Sequence, residues 1–346
     1  MTDKPERLSD LFRCFQGVVP SIIATADRHG VPNVTYVSQV HYLDEKHVAL
    51  SRQFFNKTSR NLGENPRASA ELYDPVTMQA YRLRLRFLRS ETSGPLFDTM
   101  AMRIAVIASH TGMEGVFRLI GADVFEVERV EKVAAFLQQS AATADGEEVS
   151  AIDGFRSEMR GLQLVSERIN RARDLESLLD EVLDALELYF GFLHSMVLLY
   201  DDTLDKLVTV ATRGYGETSG VGAEVAVAQG LIGTVAREKR ILRISGLEAS
   251  LRYSRAVRRQ VEDSGSKVRP EIPLPGHPNA QSAISMPLLI GDRLLGVIAA
   301  ESRDPVRFDE WDEAYLAVIG NQIALGIDRM MQDVDDDAPP PQPKPA

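Results

Sequence analysis

The fold of the C-terminal half is decided by SAISMPLLIGDRLLGVIAA, residues 282–300. Two apolar runs, 283–289 and 294–300, lie on either side of Gly291-Asp292. Glycine and aspartate together favour the tight turn that joins two antiparallel strands. The stretch therefore predicts a β-hairpin, and the segments around it indicate what the hairpin packs against.

Helices are predicted on both sides of this hairpin along the chain. A long amphipathic helix is predicted between about residues 160 and 190 from apolar residues spaced three and four apart, namely Leu162, Val165, Ile169, Ala172, Leu175, Leu179, Val182 and Leu186. Strands at 195–200 and 207–211 and a helix at 230–236 follow. A closing helix carries on one face Trp311, Tyr315, Val318, Ile319, Ile323 and Ile327. The order of helix, sheet and helix predicts an α+β domain.

Short strands dominate the N-terminal half. They are predicted at residues 21–26, 33–38, 48–51, 81–87 and 122–127. A short helix at 57–64 is predicted to stop at Asn65-Pro66, because the residue before a proline avoids helical angles. Many short antiparallel strands with few helices predict a small β-barrel.

The length of 346 residues suits two domains. A small, polar and acidic stretch at 138–154 separates two apolar regions, and the chain ends in acidic and proline-rich sequence. We therefore expect an N-terminal domain at 6–136, a linker at 137–157, a C-terminal domain at 158–331 and a disordered tail at 332–346.

Composition predicts a globular protein of the cytoplasm with neither a membrane nor a nucleic acid as partner. The chain is 44% apolar and 26% charged, and no uninterrupted apolar stretch approaches the roughly 18 residues that span a bilayer. Its N-terminus lacks the apolar core of a secretory signal. The single cysteine, Cys14, lies beside Phe12 and Phe15 and is expected to pack in a core, as suits a reducing compartment. A net charge of −11 argues against binding to a phosphate backbone.

A candidate binding site lies in SRQFFNKTSRNLGENPR, residues 51–67. A predicted strand ends there in Ser51-Arg52, and the predicted helix begins with Lys57-Thr58. Hydroxyl groups, cations and unpaired backbone N–H groups at one place suit a phosphate. The same residues also suit an ordinary solvated turn in which a hydroxyl side chain caps the helix, so the pattern alone leaves both interpretations open.

Three segments within residues 24–66 read ATAD-x-x-G-x-P-N-V-T, V-A-L-S-R and K-T-x-x-N-L-x-x-N-P. In this order they resemble the FMN-binding split barrels of the pyridoxamine 5′-phosphate oxidase-like superfamily, over roughly residues 8 to 130. The resemblance implies an antiparallel β split barrel that binds FMN and forms a homodimer with the flavin at the subunit interface. The contacts that it implies for FMN are Val37, Ser38, Gln39, Ser51, Arg52, Lys57, Thr58 and Gln79.

Vitamin B6 oxidation is not expected. True pyridoxamine-phosphate oxidases close with an Arg and His segment that holds the substrate, and nothing after Val130 resembles it. Relatives of the barrel also bind haem, for which His41, His47 and His110 are candidate ligands. A lone histidine in a strand is more often a surface or hydrogen-bonded residue. FMN is therefore the expected cofactor, with haem as the alternative.

The C-terminal half contains G-L-I-G-T-V-A-x-E-K-R at 230–240, the hairpin above and R-F-D-E-W-D at 307–312. These segments resemble a GAF domain over nearly the whole of 160–330. GAF domains sense small molecules in a pocket over the sheet, or serve as dimerisation and relay modules. Half of a cyclic-nucleotide motif is present at Phe308 and Asp312-Glu313, but Ser302-Arg303 replaces its Asn-Lys half. This half of the chain has no cysteine for a bilin, and the ligand stays unnamed.

Two further features of the C-terminal half leave alternatives open. The stretch 247–281 is long for a connection, and connections of that length are usually lids or mobile insertions. Its four arginines suit either an anionic ligand or a solvated helix face: Arg252, Arg255, Arg258 and Arg259. His194 and His277 are weaker candidates for haem ligands, because each has a simpler interpretation as a residue at a strand edge or in a proline-rich loop.

Together these features predict a flavin-binding sensory protein whose split barrel is coupled to a small-molecule-sensing GAF module. No output domain follows Met331, so a separate signalling partner is expected. The alternatives are a flavin-dependent oxidoreductase regulated by its GAF domain, a haem-binding split barrel, and two cofactor-free binding modules. No catalytic residue and no metal site is assigned, because no Ser-His-Asp or paired-carboxylate arrangement stands out.

Overall fold

A computed structural model gives the fold and describes residues 7–53, 56–133, 151–216, 220–265, 267–271 and 276–336. The chain forms two antiparallel sheets, one of seven strands and one of six. The prediction of a β-rich fold with two domains is thereby confirmed.

The N-terminal sheet follows a short 3₁₀ helix at Leu8–Gln16. Its strands are β1 (Ser21–Ala26), β2 (Pro32–Val37), β3 (Val40–Asp44), β4 (His47–Arg52), β5 (Arg67–Tyr73), β6 (Ala80–Glu91) and β7 (Gly121–Val133), with helices α1 (Asn56–Glu64) and α2 (Pro95–His110). The spatial order is β2-β1-β5-β6-β7-β4-β3, so β2 and β3 are the edges. Each strand predicted in this half is present, and α1 covers the predicted helix. The more specific split-barrel assignment stays a prediction.

The turn between β1 and β2 shows why this hairpin forms. The Asp27 carboxylate accepts hydrogen bonds from the backbone N–H groups of His29 and Val31, both at 2.9 Å. Gly30 takes the left-handed conformation, with φ of 81°, which a residue with a side chain adopts at a cost. The side-chain oxygen and the glycine together fix the chain reversal.

Helix α2 was not predicted from the sequence, which indicated few helices in this half. Its apolar residues surround the helix and show no single stripe, and a helix of this kind is buried on several sides. Met100 packs with Leu119 and Ala122 of the N-terminal domain. Met102 and Val106 pack instead against the C-terminal domain. Helix α2 therefore lies between the two domains.

The C-terminal sheet has the order β10-β9-β8-β13-β12-β11 and carries helices on both faces. Its elements are α3 (Ala151–Arg171), α4 (Leu175–Phe190), β8 (His194–Asp201), β9 (Lys206–Arg213), β10 (Glu224–Ala226), α5 (Gly230–Glu238), β11 (Leu242–Ile244), α6 (Leu247–Asp263), β12 (Ser282–Ile290), β13 (Arg293–Ser302) and α7 (Glu310–Asp336). Helices α3, α4 and α7 pack on one face and α5 and α6 on the other.

The hairpin predicted at 282–300 is confirmed as β12 and β13. Met286 lies opposite Ile298, and Gly291 makes the turn with φ of 57°. Alternate residues are buried on opposite faces: Ile298 belongs to the core under α7, and Val297 to the core under α5. The hairpin therefore lies in the interior of a sheet that is covered on both sides.

The predicted single helix over 160–190 is wrong, because two helices occupy this stretch. Helix α3 ends at Arg171, and α4 begins after Asp174, whose carboxylate accepts a hydrogen bond from the Ser177 backbone N–H at 2.8 Å. An aspartate in this position satisfies a donor that the start of a helix leaves unpaired. Because the apolar spacing continues across the break, the periodicity alone did not locate it.

Helices occupy parts of three segments that were predicted as a connection, a linker and a tail. The first half of the connection 247–281 is the helix α6, whose bounds are Leu247–Asp263. The predicted linker, 137–157, overlaps α3, and its residues 137–150 lie outside the described part of the chain. Helix α7 runs to Asp336, inside the predicted tail, and residues 337–346 are likewise outside it. Among the described helices, none combines the length and the apolar character that crossing a membrane requires.

Candidate functional site

The two domains meet at a continuous contact, called the seam below, whose centre is helix α2. The α2 residues Met102 and Val106 are buried in one cluster with Leu231 and Val235 of α5 and Leu251 of α6. The side of the C-terminal sheet that carries α5 and α6 is thus completed by a helix from the N-terminal domain. A displacement of side chains at the seam would shift residues of both domains, because they are close-packed in one cluster.

Hydrogen bonds fix α2 and the residue that follows it against the C-terminal domain. The Ser109 hydroxyl accepts from the Gly230 backbone N–H at 3.0 Å, and Thr111 Oγ1 lies 2.6 Å from Ser254 Oγ. These groups are buried, so leaving either one unpaired would cost about 1–3 kcal/mol. The pairing therefore specifies how α2 sits on α5 and α6.

Three cavities adjoin one another along the seam. The central cavity, of about 60 Å³, is lined by Ser38, Gln39, His41, Ser51, Gln53, Met100, Arg103, Ile104, Ile107, Phe117, Ser250, Tyr253 and Ser254. The arginine cavity, of about 420 Å³, shares with it Gln39, His41 and Arg103. The tyrosine cavity, of about 390 Å³, shares with it Ser38, Ser250 and Tyr253. The two larger volumes are in the range of small-molecule sites, roughly 300–1,000 Å³.

The central cavity contains two buried acceptors that have no hydrogen-bond donor among the described residues. These are the amide oxygens of Gln39 and Gln53. The Gln39 amide nitrogen donates to the Phe15 carbonyl oxygen at 2.6 Å, which fixes the orientation of this side chain. Buried acceptors are nearly always paired in folded proteins. The two oxygens therefore suit a bound molecule that presents N–H or O–H groups.

Arg103 places a positive charge where the central and arginine cavities meet. Its guanidinium donates to the backbone oxygens of Gln16 and Ser245, at 3.3 and 3.0 Å. No carboxylate of the described chain pairs with it, whereas Arg243, which also lines the arginine cavity, lies 3.4 Å from the Glu313 carboxylate. Burial, followed by the nearby charge of Arg243, lowers the pKa of Arg103 from 12.5 to about 10. The side chain stays charged at neutral pH.

His41 faces the same two cavities as a neutral imidazole. Burial, followed by the charge of Arg103, lowers the pKa of His41 from 6.5 to about 3. Of the other haem candidates in this domain, His47 lies 2.9 Å from the Asp44 carboxylate, and His110 packs against Gly230. Of these three histidines, His41 lines the central and arginine cavities.

Four of the eight predicted FMN contacts come together at the seam. Val37 is buried and lines the tyrosine cavity, and Ser38 lines both that cavity and the central one. Gln39 and Ser51 line the central cavity. The end of β2, the start of β3 and the end of β4 bring these residues to one place.

The other four predicted contacts lie away from these cavities and have partners of their own. Arg52 is 3.5 Å from the Asp123 carboxylate and donates to the Ser90 hydroxyl at 2.8 Å. Thr58 accepts from Asn33 at 2.9 Å, and Lys57 lies 3.4 Å from the Pro32 carbonyl oxygen. The Gln79 amide donates to the carbonyl oxygens of Ala80 and Val133, each at 2.8 Å. The phosphate grip that the resemblance implies stays a prediction.

Sequence reasoning missed Arg103, Gln53 and Tyr253. Arg103 is the only charged residue in the apolar run MAMRIAVIAS, residues 100–109, which is a signal that could have been used. Gln53 lies inside the stretch 51–67 that was singled out for phosphate binding. Tyr253 comes from the other domain, and nothing in the local sequence indicates that it reaches the barrel residues.

The two histidines of the C-terminal domain and the buried Glu301 have structural partners. His277 packs on His194 with ring centroids 4.8 Å apart and lies 2.8 Å from Arg303. Glu301 accepts from the His277 backbone N–H at 2.6 Å and from the Tyr215 hydroxyl at 3.0 Å, and burial raises the pKa of this carboxyl. Within the part of the chain that the structure describes, no group of three or more His, Cys, Asp or Glu could hold a metal.

The arginines of α6 mostly form ion pairs. The pairs are Arg252 with Glu248, Arg255 with Glu271, and Arg258 with Glu262, at 3.8, 3.0 and 2.8 Å. Arg258 also donates to the carbonyl oxygens of Thr111 and Arg269. These contacts favour the interpretation of α6 as a helix with one packed and one solvated face. They do not support the alternative that its arginines bind an anionic ligand.

Comparison with known proteins identifies the C-terminal half. The family model of the GAF domain matches residues 174–327, which is less than half of the chain. None of the curated proteins matches the chain. A GAF domain from a phosphoenolpyruvate-protein phosphotransferase of Coxiella burnetii is 20% identical, covers 52% of this chain and 98% of its own, and has a TM-score of 0.42.

Two other solved structures are similar to the N-terminal part. An FMN-binding protein from Syntrophomonas wolfei is 17% identical over 36% of this chain and 88% of its own, with a TM-score of 0.31. HupZ of Group A Streptococcus is 19% identical over 35% of this chain and 90% of its own, with a TM-score of 0.29. At these scores the solved structures carry no argument about what this chain binds. The family model, by contrast, shows that residues 174–327 are a GAF domain.

Proposed function

We propose that the chain is a flavin-binding sensory protein in which a cofactor at the seam changes the packing of helix α6 of the GAF domain. One observation carries the proposal. Val37, Ser38, Gln39 and Ser51, for which the resemblance to FMN-binding split barrels implies FMN contacts, line two adjoining cavities that α6 closes with Ser250 and Tyr253. A molecule bound there would touch both domains at once.

The residues of the tyrosine cavity fit a planar ring system. Its volume of about 390 Å³ is adequate for a cofactor ring, and its walls are mostly apolar, with Tyr36, Tyr73 and Tyr253 among them. The unpaired oxygens of Gln39 and Gln53 in the adjoining cavity are acceptors for ring N–H groups. A flavin would supply redox chemistry at this place, and the side chains named here would bind and orient it.

The phosphate of FMN would be held at the start of α1. Lys57 is exposed, has no ion-pair partner in the described chain and makes only one long hydrogen bond, so it can turn toward a phosphate at little cost. Arg52 is less available, because it would first have to leave Asp123. Lys57 is therefore the cation of the predicted set on which phosphate binding should depend.

Coupling to the GAF domain would act through α6. Ser250 and Tyr253 project from this helix into the cavities, and Ser254, one position further, bonds to Thr111 after the end of α2. A bound ring that displaces Tyr253 would also disturb this bond and the α2 contacts with α5. This is the route by which cofactor state would reach the GAF sheet.

The test is the visible absorption spectrum of the full chain, purified and then reconstituted with FMN. The proposal predicts stoichiometric flavin bands, with affinity lowered about tenfold or more in Lys57→Ala, because a charge-assisted contact contributes about 1.5–3 kcal/mol. Lys46→Ala is the matched control, since Lys46 is an exposed lysine in the β3–β4 turn, and it should bind FMN as the wild type does. A Soret band in place of flavin bands would favour haem at His41, and no chromophore after reconstitution would contradict cofactor binding.

A further inference from the structure

We propose that the arginine cavity is a second binding site, which takes a planar aromatic molecule bearing a carboxylate or phosphate group. This site lies next to the flavin site proposed above: the arginine cavity shares no lining residue with the tyrosine cavity, and it borders the central cavity at Gln39, His41 and Arg103. It lies between the 3₁₀ helix and β3 of the N-terminal domain and β11 and the start of α7 of the GAF domain.

Two guanidinium groups face this cavity from opposite domains. Arg103 comes from α2 and has only carbonyl oxygens as partners, whereas Arg243 comes from β11 and is 3.4 Å from the Glu313 carboxylate. Burying a cation away from water is costly, and an opposite charge beside it offsets that cost. Glu313 supplies that charge to Arg243, and Arg103 lacks it within the described chain. A bound anion would supply the opposite charge that Arg103 lacks.

Aromatic rings line the cavity beside these cations. They are Phe12, Phe15, Tyr42 and Trp311. Phe15 and Tyr42 already pack with centroids 5.8 Å apart, and the Arg243 guanidinium lies 5.9 Å from the centroid of the Phe12 ring. Aromatic walls favour a ligand ring that can pack against them. A volume of about 420 Å³ admits a small ring system with its anionic group.

Three carboxylates also line the cavity, all on the side of α7, and they orient the ligand. Glu313 is paired with Arg243, and Asp309 accepts from the backbone N–H groups of Trp311 and Asp312 at the start of the helix. Glu310 is exposed at the rim. An anionic group is therefore favoured at Arg103, on the N-terminal side, with the ring toward Trp311.

The ligand chemistry can be tested with Trp311, because it is the only tryptophan of the chain and lines the site. The probes are three nitroaromatic quenchers of similar size: 4-nitrobenzoate, 4-nitrophenyl phosphate and the uncharged 4-nitrobenzamide. The full chain should show saturable quenching by at least one anionic probe, with an affinity about tenfold or more above that of the amide. The better of the two anions tells whether the natural ligand is a carboxylate or a phosphate. This readout requires no flavin, so it can fail or succeed independently of the FMN experiment.

Arg103→Gln should lower the affinity for the anion to that of the amide. Arg259→Gln is the control, since Arg259 is exposed on α6 and borders none of the three cavities. Phe12→Ala should weaken all three probes and keep the preference for anions. Equal affinity of the wild type for anions and amide would overturn the proposal, as would an anion preference retained by folded Arg103→Gln. If Arg103→Gln does not fold, the proposal is judged from two results: the wild type's preference for the anionic probes over the amide, and the weaker binding of all three probes by Phe12→Ala.

Discussion

Truncating one valine of the N-terminal domain should destabilise the GAF domain. Val106 of α2 is 0% exposed and packs in the cluster beneath α5 and α6. Val106→Ala deletes two buried methyl groups, each worth about 0.8 kcal/mol of transfer free energy, and leaves a cavity that adds to the cost. The free energy of unfolding should fall by about 2 kcal/mol.

The assay is urea denaturation followed by Trp311 fluorescence, which reports on α7 of the GAF domain. With a slope of about 2 kcal/mol per molar urea, the midpoint of the Trp311 transition should fall by about 1 M. Val34→Ala is the matched control, because Val34 is 65% exposed on β2 and its truncation should change stability by less than about 0.5 kcal/mol. Equal midpoints for the two variants would refute the conclusion that α2 completes the GAF core.

Two further predictions concern the seam. Gly230→Ala should lower the free energy of unfolding by about 1–3 kcal/mol more than Gly291→Ala. Both glycines have positive φ, of 61° and 57°, but a Cβ at Gly230 would lie 2.8 Å from the His110 ring, whereas a Cβ at Gly291 would meet nothing within 4 Å. Equal losses of stability in thermal denaturation would contradict the packing described. Because burial and Arg103 depress the pKa of His41 to about 3, its contribution to stability is present above about pH 6.5 and is lost as the pH falls toward 3. His41→Gln should therefore lose stability less steeply than the wild type over that interval in urea titrations, and parallel curves would count against an imidazole that the fold keeps neutral.

Most of the strands, including the hairpin of β12 and β13, could be predicted because their information is local, whereas β3, β5, β10 and β11 were not predicted. Asp27 and Gly30 set one turn and Gly291 another, and the apolar runs on either side set the strands. The break at Asp174 was missed because helical periodicity continues through it, although an aspartate three residues before Ser177 is a recognisable cap.

The candidate site was harder to predict, because its parts come from distant segments. Ser38, Gln39 and Ser51 were found through resemblance to a barrel, but Arg103 lies on a helix whose apolar residues face two different domains. Tyr253 reaches the site from the GAF domain, with more than two hundred residues of chain between it and Ser38. Such contacts depend on how the two domains pack, which no local pattern encodes.

The account's central claim is that a cofactor at the seam acts on the GAF domain through α6. Hydrogen–deuterium exchange of the full chain with and without saturating FMN, with binding verified by the visible spectrum, tests it most directly. The account predicts a clear change of amide exchange in peptides from α6, 247–263, and α2, 95–110, with little change in α4, 175–190, on the opposite face of the GAF sheet. Bound flavin with unchanged exchange in both α6 and α2 would contradict it.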